Sequence, residues 1–258
     1  MSFSYYGELC TVVYDLSKKT GQSIGGDLEY YEDRLKDCKG RILEAMAGSG
    51  RVLVPLLEAG LQVDGVDYSA EMLASCRQRC EERGLVTELY ESNLQQLDLP
   101  HRYEAIIIPG GSFLLIENRD ESLLALKNLY NHLEPGGRII LDLFLPDNNF
   151  SCGQYSGTST FNLPDGDIIT MEDKLVEADL YNQYKISYIK YEKWHNGALI
   201  QTELQRFAIR WYGVEEFKLI LENIGFSDVV VSADYNYGQA PSNGKQNYVY
   251  EAIKPLEA

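Results

Sequence analysis

Between residues 41 and 146, short apolar runs alternate with segments of helical period, and few architectures satisfy that alternation. Residues 41–46 (RILEAM) read as a buried strand. Gly48 and Gly50 break it, and a helix follows to about Ala59, with Pro55 near its first turns and Gly60 as its stop. Residues 62–67 (QVDGVD) read as the next strand. Ser69 is then placed to cap a helix on which Met72, Leu73, Cys76 and Cys80 recur at helical spacing, closed by Gly84. Strands are expected at 87–92 and 103–109, a helix at 120–133 and a strand at 138–144. The run 105–108 (AIII) has no polar break, as befits a strand covered on both faces. Strand–helix repetition of this kind implies parallel strands joined by right-handed crossovers.

The rhythm then changes. Residues 147–166 are rich in Asn, Ser, Gly and Asp and read as a loop, and 167–211 read as antiparallel strands. Asn196-Gly197 is a strong hairpin signal. A two-residue turn there predicts Lys190 opposite Glu203, and places Tyr184, Ile186 and Tyr188 on one face with Phe207 and Ile209 opposite them. A helix at 213–224, ended by Gly225, and strands near 227–234 and 246–253 complete the chain.

Small residues between the first strand and helix, in Leu43-Glu44-Ala45-Met46-Ala47-Gly48-Ser49-Gly50-Arg51, let a ligand approach the backbone closely. Asp67 ends the second strand, where a carboxylate is placed to accept hydrogen bonds from a ribose diol. Together they describe a nucleoside site. It is not the dinucleotide pattern G-x-G-x-x-G, since Leu53 stands where the third glycine belongs, and no phosphate-loop pattern is present.

Glu44-x-Met46-x-Gly48-x-Gly50 resembles the first motif of class I S-adenosylmethionine-dependent methyltransferases, with Met46 in place of the first glycine. Val66-Asp67-Tyr68-Ser69 with Met72 resembles the second motif, Asn93-Leu94 the adenine-edge segment, and 133–137 (LEPGG) the turn before strand five. The similarity spans roughly 40–146 and 213–253. It implies an α/β fold: a Rossmann-like, seven-stranded, mostly parallel sheet with helices on both faces, here carrying an antiparallel β insertion near the C-terminal third. It implies one domain, with an N-terminal flap at 1–36, a cofactor core at 37–146, a substrate cap at 147–212 and closing elements at 213–258. The implied cofactor is S-adenosylmethionine, contacted by Tyr14, Glu44, Ala45, Met46, Gly48, Gly50, Asp67, Tyr68, Met72, Asn93, Leu94 and Pro109. The implied reaction is direct displacement at the sulfonium methyl, which needs positioning more than a conspicuous catalytic constellation.

Each residue also has a plainer reading. Glu44 could support its loop rather than a ligand, Met72 could be helix packing, and Asn93 a turn residue. Pro109-Gly110-Gly111 should border the methyl group, or could be a simple turn. Tyr14 could sit over the sulfonium, where an aromatic face attracts a cation, or on a surface helix. Of the aromatic residues Tyr184, Tyr188, Phe207, Trp211 and Tyr212, Phe207 and Trp211 are expected in the insertion's own core, and Tyr212 near the substrate.

With 23 basic and 39 acidic residues, the net charge of −16 disfavours nucleic acid and favours a small-molecule acceptor. The competing readings are a protein or RNA methyltransferase, an NAD(P)-dependent oxidoreductase and a non-catalytic cofactor-binding protein. Five cysteines without a framework, no signal-peptide pattern and no membrane-length apolar run suggest a cytoplasmic protein without disulfides. Cys76 and Cys80, and the histidines His101, His132 and His195, have no further ligands at matched spacing, so no metal site is expected. No pattern fixes the oligomeric state.

Overall fold

The structure is a computed structural model that describes residues 6–147, 150–153 and 155–256. Two helices, α1 (Glu8–Ser17) and α2 (Asp27–Leu35), precede the alternating core. The core runs β1 (Ile42–Ala45), α3 (Leu53–Glu58), β2 (Val63–Asp67), α4 (Ala70–Glu82), β3 (Leu89–Glu91), β4 (Tyr103–Ile108), α5 (Arg119–His132) and β5 (Leu133–Phe144). Four strands follow, β6 (Tyr155–Asn162), β7 (Ile168–Asp179), β8 (Tyr184–His195) and β9 (Ala198–Arg210). The chain closes with α6 (Val214–Ile224), β10 (Ser227–Ala233) and β11 (Asn247–Ile253).

The main sheet has seven strands in the order β10-β11-β5-β4-β1-β2-β3. β1 pairs in parallel with β2 and β4, β2 with β3 and β4 with β5, while β11 runs antiparallel to both β5 and β10. Apolar cores cover both faces. Ile106 and Ile108 of β4 pack with Leu126, Leu129, Phe217 and Leu221 from α5 and α6. Ala105 and Ile107 of the same strand pack with Leu28, Tyr31, Leu53, Leu56 and Cys76 from α2, α3 and α4. Alternate residues of β4 therefore feed opposite cores, which explains why its sequence lacks a polar face. The expected cap is present: Ser69 Oγ accepts from Met72 N at 3.1 Å. All five cysteines are free thiols. No helix among the described residues is long and apolar enough to cross a membrane.

The second sheet has the order β6-β7-β8-β9, all antiparallel, and departs from the sequence expectation twice. First, part of the segment expected as a loop is β6, paired with β7 from Thr158 opposite Glu172 to Phe161 opposite Ile169. It is an edge strand, and Thr158, Ser159 and Thr160 are exposed, so burial imposes no alternating apolar pattern on it. Second, the β8–β9 hairpin opens with His195 opposite Ala198 and Trp194 opposite Leu199, but Lys193 then pairs with Gln201. The extra residue is a bulge, and beyond it every side chain changes face. Lys190 stands opposite Leu204, not Glu203, and forms its ion pairs with Glu172 and Glu192 at 3.0 and 3.2 Å. Phe207 and Ile209 pair with Ser187 and Lys185, so they occupy the face opposite to that of Tyr184, Ile186 and Tyr188.

Candidate active site

β1, β2, β4 and β5 present their carboxyl ends along one edge of the main sheet, and three adjoining cavities open there. Met46 and Leu115 border all three. A cavity of about 260 Å³ lies against Val66, Asp67, Tyr68 and the segment from Ser92 to Gln96, with Leu115, Ile116 and Glu117 as the facing wall. A cavity of about 360 Å³ lies among Tyr6, Tyr14, Glu44, the loop from Pro109 to Ser112, Asp142 and Phe144. A gap of about 40 Å³ beside Gly48, Tyr68 and Met72 adjoins them.

The loop after β1 carries left-handed positions at three alternate residues: Met46 (φ 59°), Gly48 (φ 55°) and Gly50 (φ 81°). Gly50 is required twice over, since a Cβ there would lie 2.7 Å from Cys76 Sγ on α4. Met46 holds a conformation that is costly for any residue with a Cβ, and its side chain stands where the cavities meet. Asp67 fixes this loop. Its Oδ2 accepts from Gly48 N at 2.8 Å and its Oδ1 from Ser69 N at 2.9 Å, which leaves acceptor capacity on both oxygens. Burial pushes its carboxyl above the ordinary value, opposed by these backbone donors.

Glu44 is 3 % exposed, and its Oε2 has no hydrogen-bond partner. Burial raises its carboxyl to about 8; the Arg51 guanidinium pulls it down, while Asp27 and Asp67 push it up. Nearby, Arg51 grips Asp27 of α2 at 2.5 and 3.2 Å and donates to Gln22 O at 2.8 Å. On the far side of the larger cavity, Asp142 is 1 % exposed and accepts from Gly110 N, Gly111 N and Tyr31 Oη at 2.9, 2.7 and 2.7 Å. Gly110 and Gly111 are both left-handed (φ 70° and 68°), so both N–H groups reach one carboxylate. This turn is an anchored wall.

Helix α1 borders the larger cavity and the small gap through Tyr14. Its N-cap, Gly7, has no side chain; instead Glu203 of β9 accepts from Leu9 N and Cys10 N at 2.9 and 3.3 Å. Tyr191 Oη donates to Gln205 Oε1 at 2.9 Å and Cys10 Sγ approaches the same oxygen at 3.4 Å, while Leu9 and Val13 pack on Ile169 and Tyr191. Asp15 pairs with Arg79 of α4 at 2.7 Å. Tyr14, on this helix, lies 4.9 Å from Lys18 Nζ and 6.5 Å from the Tyr6 ring, and borders two of the cavities.

Of the residues expected from sequence, Tyr14, Glu44, Met46, Gly48, Asp67, Tyr68, Met72, Asn93, Leu94 and Pro109 border one or more cavities. Ala45 is fully buried in the core under the sheet, and Gly50 is packed against α4. Among the expected pocket aromatics, Phe207 enters the larger cavity rather than a core of the insertion. Tyr212 is 3 % exposed, held between Phe113 and Phe217 with its hydroxyl 2.5 Å from Ser122 Oγ, so it belongs to the main core and not to a substrate wall. Tyr184 bonds Glu177, Tyr188 is exposed, and Trp211 packs on Phe150. Asp142, Leu115, Phe144, Tyr235 and Asn247 border the larger cavity without having been singled out. Asp142 did leave a trace, a lone acid inside the apolar run 139–144 (IILDLF).

Residues 42–137 match the model of the methyltransferase domain family. The Bacillus subtilis protein YqeM, named as a methyltransferase, is 25% identical over 84% of this chain and 85% of its own length. A glycine/sarcosine N-methyltransferase of Halorhodospira halochloris is 39% identical over 40% of this chain and 39% of its own length. The structure of a sugar N-methyltransferase from Streptoalloteichus has a TM-score of 0.72 at 19% identity, covering 99% of this chain and 98% of that one. The fold and the matched domain define a transferase of the Rossmann-like class. Over residues 42–137 the chain carries a methyltransferase domain, and that match supports S-adenosylmethionine as the cofactor. The site fits that group: the buried Glu44 Oε2 has no hydrogen-bond partner, and the ammonium of an aminoacyl tail would supply one.

Proposed function

We propose that the protein transfers the sulfonium methyl of S-adenosylmethionine to a small molecule held in the part of the 360 Å³ cavity beside Phe207 and Ile209, the aminoacyl tail entering the same cavity at Glu44. The carrying observation is the shape of that space. It adjoins the nucleoside-sized cavity at Met46 and Leu115, and it is walled by α1, by the anchored Pro109–Ser112 turn and by Phe207 and Ile209 of the insertion. Such a concave, aromatic-lined volume holds a small acceptor.

In this reading Asp67 receives the ribose hydroxyls on its remaining lone pairs, Asn93 and Leu94 border the adenine, and Tyr68 and Met72 flank it. Glu44 receives the ammonium of the aminoacyl tail. Tyr14, on α1, faces the sulfonium and helps exclude water. The cofactor brings an electrophilic methyl carbon, and the chain's own part is to hold an acceptor atom in line with it. The name of the Halorhodospira relative makes small amines the first acceptors to screen, and the net charge of −16 is compatible with cationic ones.

The test is calorimetric titration with S-adenosylmethionine and S-adenosylhomocysteine, wild type beside Asp67→Ala, followed by a labelled-methyl screen. Binding that Asp67→Ala weakens strongly, with label appearing on small amines or other small acceptors, is the expected result. Label appearing only on protein or RNA would refute the acceptor class. Affinity unaffected by Asp67→Ala would refute the ribose assignment.

A further inference from the structure

We infer that strand β9 couples the adenosine cavity to the acceptor cavity, with Arg206 as the positioning residue; this rests on the proposed function above. Four features of one short stretch of β9 carry it. Glu203 holds the N-terminus of α1, the helix that bears Tyr14. Arg206 makes a two-pronged bond to the Glu117 carboxylate, at 2.5 and 2.9 Å. Arg210 Nε donates to the Glu117 carbonyl at 2.6 Å. Phe207 and Ile209 project from the opposite face of the strand into the larger cavity.

Glu117 ends the Leu115–Glu117 wall of the smaller cavity, and Arg206, which does not itself border that cavity, holds the Glu117 carboxylate. A parallel two-bond fork fixes orientation as well as distance, which a single lysine bond cannot do. Adjacent residues of a strand point to opposite faces but share one rigid backbone. A displacement of the Glu117 wall is therefore carried through Arg206 to Phe207 at the next residue. Filling of the adenosine cavity settles the wall, the wall settles β9, and β9 sets the acceptor cavity. The cofactor thereby raises the affinity for the acceptor, and the acceptor raises that for the cofactor by the same factor.

The experiment uses the full chain with methylthioadenosine as the probe, since it fills the adenosine cavity but has no aminoacyl tail to reach Glu44 in the larger cavity, and it does not need the acceptor. Phe207→Trp is introduced as a fluorescent reporter, alone and with Arg206→Met, Arg206→Lys, or the reversed pair Glu117→Arg with Arg206→Glu. Subtraction of the same titration without the reporter removes the two native tryptophans. Melting temperature is recorded for each. Expected are an emission change at position 207 on titration, its loss in Arg206→Met, and affinity lower by about tenfold in that variant. Partial recovery of both is expected in Arg206→Lys and in the reversed pair. A purely structural role would lower melting temperature without abolishing the reporter response, and that result overturns the proposal. So does an Arg206→Met protein with wild-type affinity and an intact response. Should Arg206→Met fail to fold, the Arg206→Lys and reversed-pair titrations decide by the same criteria. A parent protein that binds methylthioadenosine with no sensitivity to Asp67→Ala overturns the site assignment instead.

Discussion

Glu44 is a carboxyl group whose ionisation the fold opposes, and replacing it with the uncharged isostere glutamine exposes that opposition directly. Its folded-state value is about 8 against an ordinary 4.5, with burial as the main cause. A carboxyl shifted upward is protonated in the native chain and ionised in the unfolded one throughout that window, so the unfolded state binds fewer protons. Stability then falls as pH rises from about 4.5 to about 8, by up to about 1.4 kcal/mol per unit, and levels off above. The whole shift corresponds to roughly 5 kcal/mol. Urea unfolding of wild type and Glu44→Gln across pH 5 to 8.5 measures it. Asp67 and Asp142 are also raised by burial, so both proteins share their contributions and the difference between the two curves isolates Glu44. Expected is a stability advantage of the glutamine variant over wild type that is small near pH 5 and grows to several kcal/mol by pH 8. A difference curve flat over that range would refute the reasoning.

If Glu44 receives the cofactor's ammonium as proposed, the same group would link cofactor binding to protons. A cationic ammonium beside Glu44 favours the ionised form, so binding at pH 7 releases a proton from the wild type and none from Glu44→Gln. Calorimetry in two buffers of different ionisation enthalpy counts that proton. Cofactor affinity of the wild type should rise toward pH 8 by at most about tenfold per unit. An identical pH profile in Glu44→Gln would remove Glu44 from the ligand's surroundings.

Three further predictions rest on packing. At Met46, glycine holds the φ of 59° without strain while a β-branched residue does not, so Met46→Val should be less stable than Met46→Gly by about 1 kcal/mol or more in urea unfolding, although both lose the packing of Met46 on the core. Gly50→Val should be strongly destabilising, since even a Cβ would lie 2.7 Å from Cys76 Sγ and 3.2 Å from Val54 Cγ2; a wild-type urea midpoint would contradict the close approach. Glu203→Ala removes the only side-chain cap α1 has among the described residues, and should cost about 1 kcal/mol in urea unfolding and raise proteolytic cleavage in residues 6–20.

The parts of this molecule legible in sequence are those set by neighbours along the chain. The alternation of β4 between two cores, the Ser69 cap and the placement of Asp67 at the end of β2 all follow from local period, cap chemistry and strand length. The cap sheet behaved differently because one inserted residue reassigns every face beyond it. Asn196-Gly197 did turn the chain, yet the bulge that follows moved Glu203 onto α1 and Phe207 into the cavity. A period-2 reading carries no information about where such a residue is inserted. Nor does composition reveal that a lone acid in the run 139–144 serves two glycine N–H groups 31 and 32 positions upstream. Tyr212 shows the converse error: nearness in sequence to the cap suggested the substrate, but a buried ring with a hydroxyl needs a partner, and Ser122 on α5 supplies it inside the core. The residues proposed to meet the nucleoside lie on local strand–turn–helix units and are readable. The β9 side of the larger cavity is assembled by contacts between residues far apart in the chain, 194 positions from Glu203 to Leu9 of α1 and 89 from Arg206 to Glu117, and local period carries no trace of them.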